Sequence, residues 1–116
     1  MKTVRIDFNF ENYSVPALIV FAERVSKNVK RNTFFSDIRV IIEDLDDLRG
    51  YLLLYYNEAT YNENVEHKAL INQTQEDLIK VLKIVSRYVN RIANGDQTVI
   101  CSCGFHLEEQ TIDPMY

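Results

Sequence analysis

Three stretches of this chain space their apolar residues at alternating steps of three and four, and that period constrains the fold most. Val15, Leu18, Ala22, Val25 and Val29 form the first series, with Ile19 beside it. Ile38, Ile41, Leu45, Leu48, Leu52, Tyr55 and Ala59 form the second. Counting back from Ile92, Val89, Val85, Leu82, Leu78, Gln75 and Ile71 form the third. Each series draws one stripe along an α-helix, the face a helix buries against its neighbours. Turn formers are scarce, with three glycines and two prolines in 116 residues. That is too few for the turns of a many-stranded sandwich or barrel. The predicted fold is therefore all-α: an up-down-up three-helix bundle, a short C-terminal fourth helix and an extended N-terminal arm.

Local signals place the helix ends. Ser14 can cap the first helix, and Pro16 is tolerated in a first turn whose N–H groups lack helical partners. Lys30 and Arg31 suit the negative pole at its end. Asn32 to Asp37 reads as a connection anchored by Phe34 and Phe35, with Ser36 or Asp37 able to cap a second helix from about Ile38 to Tyr61. Asn62-Glu63-Asn64 marks a break, and a third helix runs from about Val65 to Asn94. Gly95 can end it in the left-handed conformation. Asp96 can cap a fourth helix through Ser102 that Gly104 terminates, although Thr98-Val99-Ile100 would also begin a strand.

The first ten residues follow a different period. Val4, Ile6, Phe8 and Phe10 alternate with Thr3, Arg5, Asp7 and Asn9, the pattern of an extended segment with one buried face. With no other strand to pair with, residues 1–13 are expected to lie as an arm along the helices. The other reading pairs this strand with its copy in a second subunit. Residues 107–116 are polar and are expected to form a mobile tail. The whole chain, 1–116, reads as a single domain.

The second helix is more apolar than one stripe requires, since Tyr51 to Tyr56 is apolar or aromatic on every side. A helix apolar all round is buried all round. Three helices leave that second face uncovered, which points to Tyr51, Leu53, Leu54 and Tyr56 as an interface and to a homodimer. Gly50, just before this run, would let another backbone approach closely. On the third helix the polar run Asn72 to Gln75 interrupts the seam. It is either a buried amide that sets register or a turn lying beyond the packed region.

Thirteen basic and seventeen acidic residues leave a net charge of −4. That balance is unsuited to non-specific nucleic-acid binding or to attraction by an anionic membrane. The longest apolar run, Val15 to Ala22, is eight residues, far short of the ~20 that span a bilayer. No export signal is visible, so the cytoplasm is expected, with both cysteines as thiols. Charge is nonetheless segregated: residues 16–32 carry +3, residues 36–66 carry −6 and residues 76–95 carry +2. Arg24, Lys27 and Arg31 form one basic row, and Lys80, Lys83, Arg87 and Arg91 another. They read as solvated faces that favour docking against the acidic second helix, with a groove for an anionic partner as the alternative.

No motif specifies a reaction. Glu43, Asp44, Asp46 and Asp47 fall between seam positions and read as a solvated face. The Glu-x-x-His pairs of a di-iron bundle are absent, as is a nucleophile elbow. Cys101, Cys103 and His106 are the nearest approach to a metal site. Cysteines at i and i+2 point to opposite sides of a helix and converge on zinc only in extended or turn geometry. They read first as small residues packed under the long helix.

Several short runs resemble a known family. Tyr88-Val89-x-x-Ile92-Ala93-Asn94-Gly95-Asp96 followed by Ser102-x-Gly104-Phe105 is similar to the end of a small helical-bundle domain of uncharacterised bacterial proteins. Val4-Arg5-Ile6-Asp7-Phe8, Asn32-x-x-Phe35 and Lys68-Ala69-x-x-Asn72 fit its earlier part. The resemblance covers residues 4–109 and implies a helical bundle that often precedes a fibronectin type III-like domain, with no activity to carry over. This chain departs from the family's alanine-rich second helix at Tyr51 to Tyr56. The expected function is a non-enzymatic protein-protein interaction or structural module that self-associates through its second helix. The alternative is a small-ligand or metal-binding domain using Cys101, Cys103 and His106, and no cofactor is expected.

Overall fold

A computed structural model describes residues 6–61 and 64–107, and these are all-α. Four α-helices follow one another: α1 (Val15–Arg31), α2 (Arg39–Tyr61), α3 (Val65–Ala93) and α4 (Gln97–Ser102). Their ends obey the local chemistry. The Ser14 hydroxyl accepts from the Ala17 N–H at 3.3 Å, and Asn64 Oδ1 accepts from the His67 N–H at 2.8 Å. Asp96 Oδ1 accepts from Thr98 and Val99, so residues 98–100 start a helix and not a strand. α3 stops where Asn94 and Gly95 both turn left-handed, at φ 50° and 79°. Removing the α1 cap with Ser14→Ala is expected to cost about 1 kcal/mol, read as a lower midpoint in urea with unchanged slope.

The core centres on Leu18, Ala22 and Val25 of α1, Leu45 and Leu52 of α2, and Leu78, Leu82, Val85 and Val89 of α3, all fully buried. α2 packs along both α1 and α3. Because it has two neighbours, its deepest line passes through Ile42, while Ile41 and Leu48 lie on its flank and are half-buried. Before α2, Thr33–Ile38 forms a 3-10 turn kinked at Phe35, whose ring is buried. Ile38 closes this turn and α2 itself begins at Arg39.

Three expectations are corrected here. The N-terminal segment is not an extended arm through residue 13, because Asn9–Asn12 forms a 3-10 turn. Asp7 Oδ1 accepts from the Asn9 N–H at 2.9 Å, a local side-chain bond that turns the backbone out of the extended state. Nor does the extended part lack a partner, since Ile6 bridges antiparallel to Leu107 and the Asp7 N–H donates to the His106 carbonyl at 2.7 Å. Leu107 therefore belongs to the fold and not to a tail; residues 108–116 lie outside the described residues, as do residues 1–5. Gly50 stands apart from this junction: among the described residues, no atom beyond its own turn of α2 lies within 4 Å of where a Cβ would stand.

Rings weld this junction. Phe10 stacks on Phe21 at 5.2 Å and lies 6.4 Å from Phe105, while Phe21 meets Phe105 and Tyr13 edge-on at 5.9 and 5.6 Å. On the far side Glu11 pairs with Lys83 of α3, whose ammonium also sits 5.6 Å from the Phe8 ring centre. The polar run on α3 resolves residue by residue. Asn72 and Gln73 are exposed, Thr74 is buried, and Gln75 Nε2 donates to the Tyr13 carbonyl at 3.5 Å.

One polar group joins α1 to α2. Asp46 accepts from the Ser26 hydroxyl at 2.6 Å and from Lys30. Burial pushes this carboxyl up, but the hydrogen bonds of Lys30 and Ser26 and the charges of Lys30 and Arg49 outweigh it, leaving it below the ordinary value. A depressed carboxyl stabilises the fold above its unfolded pKa, near 4, and that contribution is lost as pH falls through the lower folded value. Asp46→Asn is therefore expected to lower stability at pH 7 and to flatten its fall below about pH 4, measured by urea unfolding across pH.

Candidate interaction surface

The partners of each helix define which side the fold covers. On α2 the row through Asp46 and Arg49 faces α1, since Asp46 bonds Ser26 and Lys30. On α3 the row through Gln75 and Lys83 faces the N-terminal segment, since these reach Tyr13 and Glu11. Across the buried stripe from those rows lie two others. On α2 they are Ile41, Asp44, Leu48, Tyr51 and Tyr55, stepping 3-4-3-4. On α3 they are Leu70, Asp77, Val81, Ile84 and Tyr88, stepping 7-4-3-4. Residues at these spacings share one side of a helix. α2 and α3 thus present a common outer face, away from α1.

That face is open. Ile41, Leu48 and Val81 sit half-buried in the seam between the helices, while Tyr51, Leu70, Ile84 and Tyr88 flank it with 38–53% of their surface exposed. Tyr51 and Tyr55 stack on each other at 6.4 Å, with ring planes 16° apart. The thickness of the molecule agrees. Its Cα atoms extend 56 × 36 × 16 Å. Two helix layers span about 14 Å between outermost Cα atoms and three about 22 Å, so among the described residues no third layer covers this face. Contiguous exposed apolar surface of this kind marks interaction sites.

All four side chains singled out on α2 are exposed, but they do not form one patch. Tyr51 belongs to the outer face, and Leu54 lies at its edge, on the row of Glu43, Asp47 and Gly50. Leu53 and Tyr56 continue the buried stripe of Ile42, Leu45 and Leu52. They are 41% and 39% exposed, so the fold covers this end of the stripe only in part. A uniformly apolar run conceals which of its sides the fold covers. The α3 half of the face, Leu70, Ile84 and Tyr88, was missed; its only signal was a second, weaker apolar row beside the seam.

Charge frames the apolar strip. Glu43, Asp44 and Asp47 line the α2 side and Lys80, Arg87 and Arg91 the α3 side, all exposed. Arg87, Arg91, Ile84 and Tyr88 line a shallow groove of about 380 Å³. Among the described residues this lining supplies two guanidinium groups and the Tyr88 phenol.

The sulfur-containing cluster is pulled apart. Cys101 is exposed, Cys103 is buried, and His106 is exposed in a groove over α1 with Pro16, Val20 and Arg24. Burial pushes the Cys103 thiol up, against a hydrogen bond from Ser102. Among the described residues no group of three His, Cys, Asp or Glu side chains is placed to hold a metal ion. No helix among them is long and apolar enough to cross a membrane. No family model, curated protein or solved structure matches the chain.

Proposed function

We propose that this chain is a non-enzymatic interaction module that self-associates as a homodimer through the outer face of α2 and α3. One observation carries the reading: a strip of aromatic and aliphatic side chains runs along both helices and none of the described residues covers it. Tyr51 and Leu54 belong to the proposed interface, while Leu53 and Tyr56 form a second exposed patch.

The arrangement behind it is an up-down-up bundle. The short link from Tyr61 to Val65, with Glu58 Oε2 3.3 Å from His67 Nε2, supports an antiparallel α2–α3 hairpin. The Ser26–Asp46 contact and the connection 32–38 support the same relation between α1 and α2. Membership of the small bacterial helical-bundle family is our reading of the short runs quoted above. Two free thiols, one exposed, fit the reducing cytoplasm where we place the protein. The acidic balance disfavours nucleic acid and anionic membranes as partners, and leaves another protein surface.

Light scattering on a sizing column tests the proposal. The expected mass is twice 13.6 kDa at micromolar concentration. A particle that stays at 13.6 kDa up to millimolar concentration overturns it.

A further inference from the structure

We propose that the partner on the outer face is a second copy turned about a two-fold axis parallel to the helices, so that α2 of each copy lies over α3 of the other. This rests on the self-association proposed above and assigns its geometry.

The hairpin register supports that geometry. Starting from Glu58 beside His67 and counting along both helices, Tyr55 is level with Leu70, Asp44 with Val81, and Val40 with Val85. A two-fold rotation about an axis parallel to the helices keeps every residue at its level and exchanges α2 for α3. Tyr55 then meets Leu70 of the partner subunit, and Val40 meets Ile84 of the partner subunit. Asp44 meets Lys80 of the partner subunit. These three contacts set apolar on apolar and acid on base, each twice over because a two-fold interface repeats it, while Leu48 falls level with Asp77 of the partner subunit. Asp44 and Lys80 enter no ion pair among the described residues, so both are free for this pairing.

The competing symmetry fails on charge. An axis across the helices stacks α2 on its own copy and brings the Asp44–Asp47 row against itself, a like-charge contact that association disfavours. The area is sufficient. α2 has 23 residues, so the face is about 35 Å long, and two adjacent helices make it about 20 Å wide. The resulting ~700 Å² approaches the ~800 Å² per partner of a standard stable interface.

Charge exchange between two chains tests the geometry. Asp44→Lys alone and Lys80→Asp alone each place like charges at both symmetric contacts. Each is expected to weaken the dimer about tenfold in sedimentation equilibrium. Mixing the two variant chains restores an opposite pair at both contacts, and the mixture is expected to associate within about twofold of the wild type. Both positions are exposed, and circular dichroism checks that the variants keep their helices. A wild-type dimer whose affinity neither variant changes, or a mixture as weak as its components, overturns this geometry and leaves self-association standing. Tighter association of Asp44→Lys also overturns it, in favour of α2 stacked on α2. A monomeric wild type overturns both.

Discussion

Phe10→Ala is expected to destabilise the protein by about 3–5 kcal/mol, the range for deleting a buried aromatic ring. Phe10 is 2% exposed and stacks on Phe21 of α1 while touching Phe8 and Phe105. Its loss removes the side chain that all three parts of the junction share: the N-terminal segment, α1 and the chain after α4. Relaxation cannot refill the space cheaply, because Ile6 and Leu107 hold the two terminal segments together from the other side. Urea unfolding read by circular dichroism measures the cost. Hydrogen exchange adds a sharper readout, since the Asp7 amide, bonded to the His106 carbonyl, should lose its protection first. A loss below about 1 kcal/mol would mean that the junction contributes little to the fold.

Ile84→Glu is expected to weaken the proposed dimer by a hundredfold or more while leaving the monomer folded. Ile84 is 40% exposed in the single chain, so a glutamate there still reaches water when the protein is alone. In the proposed interface the same carboxylate is buried against Val40 of the partner subunit. Burying an unpaired charge costs several kcal/mol, at two symmetric places. Val20→Glu is the matching control. It is 54% exposed on the far side of α1, and should leave the mass on a sizing column unchanged. Equal dissociation by both variants would attribute the effect to net charge and not to the face.

How much of this was legible in the sequence differs from element to element. The periods at three and four located α1, α2 and α3 to within about a residue, because an amphipathic stripe is local information. The caps at Ser14 and Asp96 and the left-handed stop at Gly95 follow from bonds within a few residues of each other, whereas Asn64, read only as part of a break, is the cap of α3. The N-terminal segment shows the limit. Its alternation correctly marked Ile6 and Phe10 as buried. It gave no sign of Leu107 as partner, a hundred residues on, and Asp7 overruled it locally by turning the backbone at Asn9. Cys101, Cys103 and His106 show the same limit from the other side. Nearness along the chain suggested a cluster, and helix geometry separates it.

The sequence alone determined the fold class and the excess of apolar surface on α2, because both depend on composition and on a period read along one chain. Which side of that surface stays open was decided only by tertiary packing. α1 meets α2 at Asp46 through Ser26 and Lys30, on a different side of α2 from Tyr51 and Tyr55. The fold's coverage buries Leu52, leaves Leu53 and Tyr56 at its edge, and places Tyr51 with Ile84 and Tyr88 on a face of their own. A helix stripe records that a side chain prefers to be buried; only the neighbouring helix decides whether this chain or a partner buries it.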